Sequence, residues 1–181
     1  VQVMACRAIG WLKDERAQPH LLDLLGHRNS KVRNSAVASL ALCGNDLSAE
    51  ALIASLESDP CDQVRSSAAR VLGWLGLAPA RPNLIKALQT ATDARVRAEA
   101  VCALGRLGVH DIHELRIIID AVQDDSAVVR AHALRALSRL GIAMPMPRFK
   151  SLLGDSDPEV RVVTLRVLSH LEVQGALELI H

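Results

Sequence analysis

Apolar and polar positions along the chain recur with a period near 32 residues, marked by a Val-Arg step in each copy. The steps are Val32-Arg33, Val64-Arg65, Val96-Arg97, Val129-Arg130 and Val160-Arg161, with Val spacings of 32, 32, 33 and 31. Counting 31 residues back from Val32 reaches Val1, whose followers fit the same scheme. Four positions after each Val stand Ala5, Ala36, Ala68, Ala100, Ala133 and Thr164. Eight after stand Ile9, Leu40, Leu72, Leu104, Leu137 and Leu168; eleven after stand Leu12, Cys43, Leu75, Leu107, Leu140 and Leu171. Offsets 0, 4, 8 and 11 trace one face of an α-helix. Gly44, Gly76, Gly108 and Gly141 at offset 12 suit a helix C-terminus.

Asn29, Asp93, Ser126 and Asp157, three residues before Val, are placed to cap these helices. A shorter second helix follows each Gly, opened by Ala17-Gln18-Pro19, Ala80-Arg81-Pro82 or Met146-Pro147. Its apolar stripe reads Leu21/Leu25, Leu52/Leu56, Leu84/Leu88, Ile118/Ile119/Val122 and Phe149/Leu153. The fourth copy is longer between its helices, and its second helix, Ile112 to Gln123, lacks the Ala-x-Pro opening. Each copy is therefore a helix hairpin.

The unit Val-Arg-x-x-Ala-x-x-x-Leu-x-x-Leu-Gly followed by Ala-x-Pro-x-Leu resembles the short bacterial HEAT-like repeats of the type found in phycobilin lyases. Residues 11–25 are especially close to that pattern. The resemblance implies an all-α, right-handed α-solenoid of about six HEAT-like helix hairpins forming one array. Its repeats fall near 1–31, 32–63, 64–95, 96–128, 129–159 and an incomplete 160–181. Neither end carries the polar cap a solenoid needs for solubility, so self-association could run through the uncapped ends or through a patch around Trp11 and Trp74. The repeated residues are the packing ones, and such folds serve scaffolds, lyases and DNA glycosylases alike.

Composition narrows the function. The 181 residues are half hydrophobic with a formal net charge of +1, and hold two Trp, one Phe and no Tyr. That scarcity of aromatics disfavours flat-cofactor pockets and base-stacking platforms, and the charge disfavours nucleic acid. Four cysteines, at 6, 43, 61 and 102, form no CxxC pair; Cys61, in a polar stretch, is expected to be exposed, and all four reduced. No signal peptide or membrane span is visible, which points to the cytoplasm.

Three clusters compete as sites. Arg33, Arg65, Arg97, Arg130 and Arg161 form a row at the edge of the apolar arc, with Asp59, Asp62, Asp93, Asp124, Asp125, Asp155 and Asp157 in the preceding turns. The resemblance implies a structural Asp–Arg ladder there, and a guanidinium fork suits a partly buried row. Offsets 6 and 10 point away from the apolar arc and hold Arg7/Trp11, Ala38/Leu42 and Arg70/Trp74. Exposed aromatics beside arginines have the composition of a protein-binding hot spot. Arg106, Arg135, Arg139 and Arg166 continue the row as a basic patch. The second helices, which are expected to line the concave surface, carry seven acids and five bases and no Trp or Tyr. That balance gives no groove for phosphates. His110-Asp111-Ile112-His113-Glu114 gathers candidate metal ligands, and HEAT-like deoxyhypusine hydroxylase uses paired His-Glu steps; only His113-Glu114 matches, once. A site needs three or four convergent ligands, so no metal and no cofactor are expected.

The sequence thus points to a non-catalytic protein-interaction or scaffolding module. The first alternative is an accessory subunit of a phycobilin lyase or related bilin-handling enzyme. The second is a nucleic-acid-associated HEAT-like protein.

Overall fold

The computed structural model describes residues 2–12, 18–43 and 48–170, all helix, turn and loop with no strand among them. Six helices begin around a Val-Arg step or its counterpart: α1 (Gln2–Leu12), α3 (Ser30–Cys43), α5 (Asp62–Trp74), α7 (Ala94–Leu107), α9 (Ala127–Leu140) and α11 (Pro158–His170). These are termed VR helices below. Five shorter ones alternate with them: α2 (Gln18–Leu24), α4 (Ala49–Ser58), α6 (Arg81–Thr90), α8 (Ile112–Asp120) and α10 (Met146–Leu153). The sixth hairpin's second helix, Ala17 and Gly44 lie outside the described residues.

The apolar stripe explains the stacking. Val64, Ala68 and Leu72 are wholly buried, as are their counterparts in α3, α7, α9 and α11 to within a few per cent. In α1 the same offset behaves differently: Ala5 is exposed and Cys6 buried, because no described helix stacks on the far side of α1. Cys61 is half-buried against the core rather than exposed, since the turn before α5 folds onto it. No described helix is long and apolar enough to cross a membrane.

Local signals start and stop the helices. The Asp93 carboxylate accepts from the Arg95 and Val96 N–H groups, and Asp157 does the same for Glu159 and Val160. Asn29 caps α3 through Lys31 N–H. Ser126 makes no side-chain cap; instead its N–H donates to Asp124. The VR helices end at Gly76, Gly108 and Gly141, with φ of 70°, 78° and 67°. That region suits glycine, and beyond Gly141 the Ile142 N–H closes back on the Leu137 carbonyl. The irregular hairpin's second helix is α8 plus a separate 3-10 turn, Ala121–Gln123. In α10 the fully turned-in residues are Phe149 and Leu152, with Leu153 half-buried.

The two helix layers are not spaced alike. A Cβ added to Gly73 would stand 2.6 Å from the Cα of Ala103, and one on Gly105 2.6 Å from the Cβ of Ala136. The VR helices therefore ride almost backbone to backbone, while the shorter helices touch one another far less. One cleft takes its walls from α3, α5, α7 and α9 together. The closely packed layer thus belongs to the VR helices, and the second helices form the looser one.

Candidate binding face

The arginine row sits where the hairpins join. Arg33 Nε and Nη2 donate to the two oxygens of Asp59 at 2.7 and 2.8 Å. Arg97 holds Asp124 at 2.9 and 2.8 Å, and Arg130 holds Asp155 at 2.8 and 2.7 Å. Each Nη1 reaches two carbonyl oxygens at the end of the preceding hairpin, as with Ala91 and Thr92 for Arg97. These are forked pairs of the kind only arginine makes. Arg65 and Arg161 differ. Among the described residues Arg161 bonds the Asp155 and Ser156 carbonyls, and Arg65 bonds the Asp59 carbonyl and the half-exposed Asp62. Asp93 is a cap and not a rung; acids near a Val-Arg step look alike until their register is fixed.

On the VR face, Trp11 is 80% exposed, Leu42 45% and Trp74 54%, on α1, α3 and α5. The side chain of Arg7 lies outside the described residues. Two guanidinium groups stack on Trp74, Arg70 at 5.6 Å from the ring centre and Arg106 at 5.7 Å. The structure thereby joins two clusters that the sequence separates, because Arg106 occupies in α7 the position Trp74 holds in α5. Arg139 and Arg166 are exposed, and Arg135 pairs with Glu159.

Beside Trp74 lies the cleft of about 320 Å³ shared by four VR helices. Asn34 Oδ1, Arg70 Nε and His132 Nδ1 are buried without a hydrogen-bond partner, and all three residues line it. Glu99, 3.8 Å from Arg70, is largely enclosed; burial lifts its carboxyl above the ordinary range, with Arg70 and Arg106 pulling the other way. Burial, aided by the Arg135 charge, lowers His132, while Glu159 opposes the shift. The sequence marks Glu99 as the acid flanking the basic row but singles out neither Asn34 nor His132. Their signal was the recurrence of polar residues at offsets 2 and 3: Asn34, Ser66, Ser67, Glu99 and His132.

The His110–Glu114 segment has another occupation. Buried Glu114 receives Arg81 Nη1 at 2.9 Å and the His110 N–H at 2.8 Å, and Asp111 caps α8. Arg81 also donates to the Leu107 and Gly108 carbonyls, tying α6 to the end of α7. Among the described residues no three His, Cys, Asp or Glu side chains gather as a metal site.

Residues 1–60 and 49–116 match the family described as HEAT repeats. The curated proteins give no match. Solved structures give several. A chain of the CpcE–CpcF complex of phycocyanin lyase from Nostoc sp. PCC7120 is 23% identical at a TM-score of 0.67, covering 85% of this chain and 99% of that one. Escherichia coli YIBA is 22% identical at 0.70, over 96% of this chain and 64% of that one. A designed armadillo repeat protein in complex with the peptide (KR)4 is 18% identical at 0.61, over 93% and 92%. Likeness at these identities speaks to the fold alone, an all-helical repeat solenoid. By its repeated residues, its stacked hairpins and the family matching most of its length, this chain belongs to the HEAT-repeat family.

Proposed function

We propose that the chain is a non-catalytic interaction module that grips a protein partner on its VR-helix face. Trp74, Arg70 and Arg106 are the anchor, with Trp11 and Leu42 extending the row and Arg135, Arg139 and Arg166 adding positive charge. The observation that carries this reading is a tryptophan more than half exposed yet held by two arginines. Such a ring is already ordered, so a partner that covers it spends little rotamer entropy. The surplus of arginine on this face favours an acidic partner.

The double variant Trp11→Ala, Trp74→Ala tests it. Both rings are exposed, so the melting temperature should move by no more than about 2 °C. Binding of a hexaglutamate peptide, read by anisotropy, or self-association, read by sedimentation, should weaken by roughly thirtyfold or more. A large fall in melting temperature would make the tryptophans core residues, and unchanged binding and sedimentation would remove the face from consideration.

A second reading is an accessory subunit of a bilin-handling lyase. It is favoured by the similarity that spans 99% of a chain in the phycocyanin lyase complex. Incubation with a free bilin should then red-shift and sharpen the pigment's absorbance; an unaltered spectrum, alone and with a lyase partner present, counts against it.

A further inference from the structure

The arginine ladder has one open rung inside the array. The acid of each closed rung stands five residues before the Val of its own VR helix: Asp59, Asp124 and Asp155. Before Val96 that position is Ala91. The backbone there is nonetheless the one a rung uses, with φ −69° and ψ 130° at Ala91 against −65° and 130° at Asp59. In the closed rungs the carboxylate also accepts a backbone N–H two residues on, from Cys61, Ser126 or Asp157. At Ala91 no side chain exists to receive the corresponding Asp93 N–H.

Arg65 is the arginine that faces this vacancy. Its Nη1 is anchored on the Asp59 carbonyl at 3.0 Å, as the other rung arginines are anchored on theirs, and its Nε has no hydrogen bond. A cleft of about 230 Å³ opens there, lined by Arg65, Leu56, Ala87, Ala91 and Val96, with Lys86 paired to Glu57 on its wall at 3.0 Å. Asp62 on Nη2 is no obstacle. In the closed rung of Arg97 the same nitrogen serves Asp124 and the exposed Asp125 together.

We propose that this cleft binds an external carboxylate, which takes the place of the missing aspartate. One oxygen accepts from Arg65 Nε, the other from Nη2 and the Asp93 N–H, and Leu56, Ala87 and Val96 cover the carbon chain. The forked donor pair fits any two-oxygen acceptor, and the apolar wall of Leu56, Ala87 and Val96, with the Glu57 carboxylate beside it, favours a singly charged carboxylate over the more highly charged and more strongly hydrated phosphate. The carboxylate comes either as a small free acid or as an acidic side chain of a peptide.

The side-chain Nε–H resonances of the rung arginines in the intact chain provide the readout. Sodium acetate, the peptide Ac-Ala-Asp-Ala-NH2 and its amide counterpart Ac-Ala-Asn-Ala-NH2 are titrated at fixed ionic strength, with phosphate as control. Acetate and the Asp peptide should shift Arg65 Nε–H saturably while Arg33, Arg97 and Arg130 stay still. The Asn peptide and phosphate should not. A lower half-saturation for the Asp peptide assigns the site to a peptide partner; equal or weaker binding assigns it to a free acid. Ala91→Asp should close the rung, move the Arg65 signal to the position of its neighbours and abolish the response, and Arg65→Lys should abolish binding with the fold retained. No saturable shift in the wild type, an equal response to phosphate, or an undiminished response in Ala91→Asp would overturn the proposal.

Discussion

Arg33 shows why this chain favours arginine over lysine along its spine. Three nitrogens of one planar group serve the Asp59 carboxylate and two carbonyls, while a lysine has one ammonium for all of them. Both partners are nearly enclosed, with side chains 10% and 6% exposed. Removing the acid strands the cation, so Asp59→Ala should cost roughly 3–5 kcal/mol in urea denaturation. Asp125 touches Arg97 too, but its side chain is 88% exposed, and Asp125→Ala should change stability by less than about 1 kcal/mol. Equal costs would mean that the rung is a surface pairing. The row of arginines was legible in sequence because it repeats. The break at Ala91 was not, because acids crowd every turn and only a fixed register separates the rung from the cap at Asp93.

Helices and their faces were largely readable from the 32-residue pattern, down to Pro158 opening α11 and glycine closing α5, α7 and α9. What the pattern concealed was distance between helices. Gly73 and Gly105 stand outside the repeated apolar face, yet each is where one VR helix rests on the next. An added methyl at either must displace Ala103 or Ala136 backbone. Gly→Ala inside an exposed helix gains about 1 kcal/mol, but overpacking here should outweigh that. Gly73→Ala and Gly105→Ala should each lower stability by about 1–3 kcal/mol, measured by denaturant midpoint. A gain in stability would show that the helices separate without strain and that the compressed layer is not on this side. The same close packing brings Arg106 of α7 over Trp74 of α5, a pairing that composition could suggest only as a patch.

Across the whole molecule, acid should act in two stages. Burial holds His132 below its ordinary value near ~6.5, so the fold resists its protonation and loses stability as pH falls beneath that value. Burial raises Asp59 and Asp124, but the Arg33 and Arg97 guanidinium groups and local N–H donors outweigh it; Asp155 is lowered first by Arg130. Their contribution is intact above the ordinary carboxylate value of about 3.9 and is lost as pH falls through their depressed values. Glu99 acts oppositely: its cost is present at neutral pH and lifts on acidification. Denaturant midpoints should therefore be level near neutrality, decline below about pH 6.5 and fall steeply below about pH 4. His132→Gln should remove the first decline; its persistence would assign that stage to another group. Ala91 and Asp59, finally, share a backbone and differ by a carboxyl group. In the genetic code that difference is one nucleotide, GAY against GCY. Each hairpin junction is thus an address at which a single base change opens or seals a slot without moving the chain, and a repeat array can alter what it holds one address at a time.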